Sequence, residues 1–317
     1  MLRAQQWNSQ IWLNGWYKAS VSRGGDAKRA LLTKVFTHNL DIFRDGAYRT
    51  ESDRVVTIPV SGQFVENSQM FSAPIENDTI GDSPQLYYFK VEVINQDCIL
   101  ATRNLVEQGF NPAVLNMASL YHPGGGVLTG SSAQEEELCR RSNLVISLYQ
   151  FSLPGGRYGD LADMVRVKRR AERYPMDNTY GGIYSPDITF FRATKDEGYA
   201  LLDEPFRAAV ISVASLNYNP KHGHNTLDNG NIPEADKPVL KEKIRTILRI
   251  GALKGHDSLV LGALGCGAFC TPPAQMARLF HEVLFETEFT GRFKKIVFAI
   301  IDSPSSNNFK PFQKEFA

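Results

Sequence analysis

The chain has 317 residues, 43% of them hydrophobic and 22% charged, with 35 basic side chains against 34 acidic ones. Those proportions give a globular chain with enough apolar material for a sizeable core. The near-zero balance excludes the broad basic surface that holds DNA directly, so an anionic ligand has to be met by a local site.

The opening stretch Met1-Leu2-Arg3-Ala4-Gln5-Gln6-Trp7 lacks the apolar core of a signal peptide. No window approaches the roughly 18 continuous apolar residues of a membrane helix. Cys98, Cys139, Cys266 and Cys270 form no disulfide framework, and the C-x3-C pair lacks the second ligand pair of a zinc site. The expectation is a reducing intracellular compartment such as the cytoplasm, with export as an effector left open, no membrane association, no metal and no cofactor.

Along the chain, residues 26–44 place apolar side chains at helical spacing and end before Gly46, which predicts a helix. Residues 54–60 hold a short strand, and residues 61–85, rich in Ser, Asn, Asp and Pro, read as a loop. From residue 86 strands alternate with helices: a strand at 87–94, a helix from the cap Asp97 to about Glu107, a strand at 113–118 and a helix at 133–149. Further strands are expected at 188–192 and 208–214, and a long helix at 236–253. The last third gives a strand at 257–263, a helix from Pro272 and Pro273, and a returning strand at 295–301. The reading is a three-layer α/β domain over residues 86–317, preceded by a helical and irregular extension over residues 1–85.

Ligands of open α/β sheets bind beyond the carboxyl ends of the strands. Two glycine-rich loops leave such ends here. One is Pro123-Gly124-Gly125-Gly126, and the other runs from Gly262 through Gly265-Cys266-Gly267-Ala268-Phe269. Glycines admit close backbone approach, and loop amides suit a phosphate or diphosphate. Tight turns alone would explain either loop, and neither is a Walker A or a dinucleotide fingerprint.

Soon after the first loop comes Gln134-Glu135-Glu136-Glu137. Ser132 with Glu135 fits a capping box, and Glu136 and Glu137 could pair with Arg140 and Arg141. The same glutamates, folded back beside the glycines, could serve a glycosidic bond next to a diphosphate. Their roles must differ, because successive helical residues point about 100° apart. His222-Gly223-His224 reads as a polar loop, and His122 as structural.

Gly124-Gly125-Gly126 followed after seven residues by Gln134-Glu135-Glu136 resembles the GGG…QEE signature of the poly(ADP-ribose) glycohydrolases. Glu137-Leu138-Cys139-Arg140-Arg141-Ser142 is similar to the microbial branch, as are Leu259 through Phe269 and Phe298-Ala299-Ile300. The resemblance covers roughly residues 86–312, with a fainter echo at Gly46-Ala47-Tyr48.

It implies a macrodomain-like mixed sheet flanked by helices, and exo-acting hydrolysis of ribose–ribose bonds in poly(ADP-ribose) or on ADP-ribosylated proteins, with ADP-ribose as product. It implies Glu136 as general acid, Glu135 and Asn116 on ribose hydroxyls, and Gln134 in the binding set. Gly124, Gly125, Gly126 and Val127 would wrap the diphosphate together with Gly265, Cys266, Gly267, Ala268 and Phe269. A mono-ADP-ribosyl hydrolase and a non-catalytic ADP-ribose reader are the alternatives. Retention of both glutamates argues against a pure reader.

Overall fold

The computed structural model describes residues 2–76, 87, 90–155, 170–302 and 306–317. The chain divides into two compact units built from interleaved segments, residues 1–68, 121–175 and 185–207 in one and residues 69–120, 176–184 and 208–317 in the other.

The first unit opens with α1 (Ser9–Val21), which the sequence pattern did not announce. Asn8 caps it by accepting the Ile11 amide at 2.8 Å. The helix expected over residues 26–44 is α2 (Gly25–Asp45), closed by Gly46 at φ 66°. β1 (Ala47–Arg49) pairs antiparallel with β2 (Val55–Thr57). The stretch expected to be loop contains α3 (Gln63–Glu66) and β3 (Gln69–Phe71), and its remainder beyond residue 76 lies outside the described residues.

Arg192, 1% exposed, is a buried charge of this unit. Its guanidinium donates to Asn39 Oδ1 at 2.7 Å and to the Tyr199 carbonyl at 2.8 Å, lies 2.7 Å from His38 Nδ1, and sits under the Trp7 ring at 4.7 Å. A guanidinium only donates. His38 Nδ1 therefore accepts, and its proton resides on Nε2, which donates to the Gln5 carbonyl at 2.6 Å. Burial, then Arg192, lowers the His38 pKa to about 4, and burial lowers that of Arg192 to about 9.

In the second unit, β4 (Lys90–Ile94) takes the later part of the expected strand. Residues 88 and 89 of that expectation lie outside the described residues. α4 (Cys98–Glu107) starts as expected at Asp97, which accepts the Ile99 and Leu100 amides at 3.0 Å each. β5 (Pro112–Met117) follows.

The expected helix over 133–149 is instead two helices of the first unit, α5 (Gln134–Arg141) and α6 (Leu144–Tyr149). Ser142 is extended at φ −146° and bridges Phe190, while the Asn143 side chain donates to the Pro59 carbonyl and accepts the Thr189 amide, both at 2.9 Å. Ser and Asn offered the backbone these alternatives to a continuous helix.

β6 (Gly182–Arg192) and β7 (Leu201–Val213) are both longer than expected. The remaining elements are α7 (Lys237–Leu253), β8 (Ser258–Leu261), α8 (Pro273–Leu284), β9 (Lys295–Ala299) and α9 (Phe309–Glu315). The seven-stranded sheet has the order β3-β6-β7-β5-β8-β9-β4. It is mixed: β3 pairs antiparallel with β6, whereas β7, β5, β8, β9 and β4 are mutually parallel.

Both faces are buried, which explains the near-continuous apolar strands. Leu115, Ile211, Leu259, Leu261, Ile296 and Phe298 join the core with Ile244, Ile247, Met276 and Phe280 of α7 and α8. Val114, Val210, Val260 and Val297, at most 2% exposed, point the other way, and α4 packs on β5, β8 and β9. That gives helix, sheet and helix layers. Among the described residues no helix is long and apolar enough to cross a membrane.

Lys243 of α7 is 0% exposed, and its Nζ has no hydrogen-bond partner among the described residues. Burial lowers its pKa from 10.5 to about 8, with the Asp177 carboxylate opposing. Unfolded lysine therefore binds a proton that the folded chain lacks between those values, and wild-type stability should rise with pH across that window. Lys243→Met should stabilise the chain by roughly 1–3 kcal/mol near neutral pH and lose that alkaline gain. Thermal denaturation at about pH 7 and about pH 9.5 checks both, and a lower melting temperature for the variant at either pH would refute the reading.

Candidate active site

The glycine loop of the first unit is a succession of tight turns. Gly124 and Gly125 adopt φ 78° and 58°, and the Gly125 amide donates to the His122 carbonyl at 2.9 Å. A 3₁₀ turn over Val127–Thr129 follows and ends at Gly130, φ 73°. A Cβ on Gly130 would lie 2.2 Å from the Arg29 carbonyl oxygen of α2, so that backbone approach requires glycine.

α5 then begins, and its first turn folds back on the loop. Glu136 Oε1 accepts the Gly126 amide at 2.8 Å and its Oε2 accepts the Ala133 amide at 2.9 Å, while Glu135 Oε1 accepts the Gly124 amide at 3.2 Å. Glu135 and Glu136 are 4% and 6% exposed, so each desolvated carboxylate is met by backbone N–H groups. A Cβ on Gly125 would stand 2.6 Å from Glu136 Oε1 and 2.8 Å from Glu135 Oε2. The missing side chain is what lets both carboxylates crowd the loop. Burial foremost, and then the two glutamates, hold the Cys139 thiol well above its ordinary pKa and keep it protonated beneath them.

Two readings of the acidic run change. The N-cap is Ala133, which has no side-chain oxygen, and the residue reaching back to it is Glu136 rather than Glu135. Arg140 pairs at 2.9 Å with Glu137, three residues away, while amides meet both oxygens of Glu136. The donors expected to face a phosphate are also engaged. Gly124 and Gly126 donate to the glutamates, Gly125 to His122, and Val127 to the Gly124 carbonyl at 3.2 Å. Gln134 is half-buried in the same turn.

In the second unit, parallel β5 and β8 release the chain at one edge of the sheet. Gly265, φ 76°, has no room for a Cβ, which would lie 2.5 Å from both Ser215 Oγ and Thr271 Oγ1. The Cys266 amide donates to Ala263 and the Thr271 amide to Gly265, both at 3.0 Å. From outside, the Tyr218 amide donates to the Phe269 carbonyl and Asn219 Nδ2 to the Ala268 carbonyl, both at 2.8 Å. Among the described residues, the amides of Gly265, Gly267, Ala268 and Phe269 donate to no protein group. They form a pinned, half-open row of N–H donors suited to an anion. Burial raises the Cys266 thiol, which donates to the Leu264 carbonyl at 3.6 Å.

Asn116 near the end of β5 is 0% exposed and donates to Ser212 Oγ of β7 at 3.0 Å. His222-Gly223-His224 sits in a tight loop, where the Gly223 amide donates to the Asn219 carbonyl at 2.6 Å. Among the described residues no three His, Cys, Asp or Glu side chains cluster to hold a metal. Tyr218 and Asn219 are not among the site residues read from the sequence, and the Asn217-x-Asn219 spacing is the local signal that fits their turn.

The catalytic-domain model of microbial-type PARG matches residues 37–193. The crystal structure of the poly(ADP-ribose) glycohydrolase (PARG) of Thermomonospora curvata is 31% identical, with a TM-score of 0.74 over 91% of this chain and 100% of that one. The chain belongs to the microbial-type PARG family.

Within that family, the Thermomonospora curvata PARG bound to the inhibitor ADP-HPD is also 31% identical, with a TM-score of 0.70 over the same shares. PARG from Deinococcus radiodurans in complex with ADP-ribose is 29% identical, with a TM-score of 0.61 over 80% of this chain and 95% of that one. No curated protein matches the chain in sequence.

The second loop of this PARG gives a paired prediction. Gly265→Ala should lose roughly 1–3 kcal/mol of stability, from positive φ and from contact with the Ser215 and Thr271 hydroxyls. Gly267→Ala, with open space around it, should stay within about 0.5 kcal/mol. Urea denaturation of the two variants compares them, and equal losses would show that the packing around Gly265 is not the constraint.

Proposed function

We infer that the chain is a poly(ADP-ribose) glycohydrolase that cleaves ribose–ribose O-glycosidic bonds and releases ADP-ribose. The observation that carries this reading is Glu136, a nearly buried carboxylate with both oxygens fixed by backbone amides beside a glycine whose missing side chain makes room for it. The relatives crystallised with ADP-HPD and with ADP-ribose support the same ligand class.

Each Glu136 oxygen accepts one N–H and keeps a second lone pair, so the residue can carry a proton without giving up either amide. In our proposal Glu136 gives that proton to the departing ribose oxygen as the glycosidic C–O bond breaks. Water adds to the oxocarbenium-like carbon, and the proton it sheds restores the acid. The substrate's own diphosphate orients the water, so the second carboxylate of a two-carboxylate glycosidase is not required.

Glu135, fixed by Gly124, holds ribose hydroxyls with Gln134 beside it, and the resemblance gives Asn116 a ribose contact of its own. The engaged amides of Gly124, Gly125, Gly126 and Val127 make the first loop a glutamate holder and a surface for close approach. The open amides of Gly265, Gly267, Ala268 and Phe269, beside Cys266, take the diphosphate, and the Phe269 ring packs on ribose. Release from chain ends follows the resemblance to the microbial branch.

The test compares wild type, Glu136→Gln and Gly125→Ala on poly(ADP-ribosyl)ated and mono-ADP-ribosylated protein. Wild type should release ADP-ribose from the polymer. Glu136→Gln should lower kcat by about 10²–10⁴-fold while ADP-ribose still binds. Gly125→Ala should also fall by at least about 10²-fold, since it displaces both carboxylates. Tight ADP-ribose binding with release from neither substrate would make the chain a reader. Release from the mono-modified protein alone would move the activity to that linkage.

A further inference from the structure

α5 has only eight residues and breaks at Ser142, so its own hydrogen bonds fix its orientation weakly. The packing of buried Leu138 and Cys139 and side-chain ties together set its rotation about its axis, and that rotation decides whether Glu135 and Glu136 meet the glycine amides. Glu137, the third acid of the turn, makes such a tie. Tyr199 donates its hydroxyl to the Glu137 carboxylate, 2.7 Å from Oε1 and 2.9 Å from Oε2, and Arg140 donates to Oε1 at 2.9 Å. Arg140, 0% exposed, also donates to the Ser131 carbonyl in the approach to the helix.

Tyr199 is held as firmly as the group it holds. It is 0% exposed and takes φ 53°, a backbone conformation rare for a bulky residue, which persists where surroundings over-determine it. Its amide donates to the Thr194 carbonyl at 3.0 Å, and its carbonyl accepts from Arg192 at 2.8 Å. Its ring meets Trp12 edge to face, 4.9 Å between centroids and 89° between planes. Trp12 is tied in turn by its indole N–H to the Leu31 carbonyl at 3.1 Å. Burial foremost, and then the Glu137 charge, raises the Tyr199 pKa, so the phenol remains a donor.

We propose that Tyr199 is a positioning residue for the hydrolysis. By fixing Glu137 it fixes the rotation of α5, and with it the seating of Glu136 and Glu135 on the amides of Gly126 and Gly124. A turn of the helix that unseats Glu136 must also pull Glu137 off the phenol. The inference rests on the glycohydrolase reading.

The experiment measures kcat and KM on poly(ADP-ribose), ADP-ribose affinity by calorimetry and melting temperature for wild type, Tyr199→Phe, Glu137→Ala, Glu137→Gln and the Tyr199→Phe/Glu137→Ala double variant. Assays run well below the lowest melting temperature. Tyr199→Phe and Glu137→Ala should each lower kcat about 10-fold to 100-fold, with KM and ADP-ribose affinity within about twofold of wild type. Glu137→Gln keeps an acceptor for the phenol and should recover most of that loss. The double variant should be no worse than either single one, since both remove the same tie.

A wild-type kcat in Tyr199→Phe, or losses that multiply in the double variant, would overturn the positioning role. So would a loss of ADP-ribose affinity in step with kcat, which marks general disruption. If Tyr199→Phe does not fold, the contrast between Glu137→Ala and Glu137→Gln decides alone. A wild type that releases no ADP-ribose overturns the functional reading and this inference with it, whereas an active wild type beside an unaffected Tyr199→Phe overturns only the inference.

Discussion

Three backbone amides and two carboxylates set the terms for the first unit. Glu135 and Glu136 can be nearly dry only because Gly124, Gly126 and Ala133 meet them with N–H groups. The amides reach them only because the chain turns through positive φ at Gly124 and Gly125 and carries no side chain at Gly125. Outside this nucleus the same logic continues. α2 lies against Gly130, and Asn39 of α2 donates to the Arg140 carbonyl at 2.7 Å, so the N-terminal helices form part of the wall that holds the glutamates.

The two glycine-rich loops use the same composition for opposite ends. In the first, glycine shortens the distance between backbone and carboxylate, and the amides are engaged within the protein. In the second, Gly265 lets the chain turn against Ser215 and Thr271, and the amides of Gly267, Ala268 and Phe269 stay open. A loop with saturated donors presents fixed acids to a ligand, whereas a loop with open donors presents dipoles to an anion. Glycine content is identical evidence for both, and only the partner of each N–H separates them.

Much of the fold was legible because its signals are local. α4 announces itself through Asp97, α2 through its apolar period and Gly46, and β5, β8 and β9 through apolar runs buried on both faces. α1 was not, because its thirteen residues bury only Trp12 and Ala19 and leave Ile11, Tyr17 and Val21 exposed. The break at Ser142 was hidden because Phe190, which Ser142 bridges, and Pro59 and Thr189, the partners of Asn143, lie far off in sequence. At the site, spacing singled out the glycines and glutamates. It could not say which glutamate reaches Ala133, nor that the amides turn inward. Tyr199 lies 62 residues from the Glu137 it holds, and nothing local marks it.

Arg192 bears on where this protein can be divided. Its buried cation is met by neutral acceptors, an amide, a carbonyl and an imidazole lone pair, and is roofed by Trp7. The stretch that matches the family begins at residue 37, inside α2 and downstream of Trp7 and Arg29. The border of that match therefore cuts through a helix of the fold. A chain trimmed to begin at residue 37 would open the buried Arg192 charge to water and lose the part of α2 seated on Gly130.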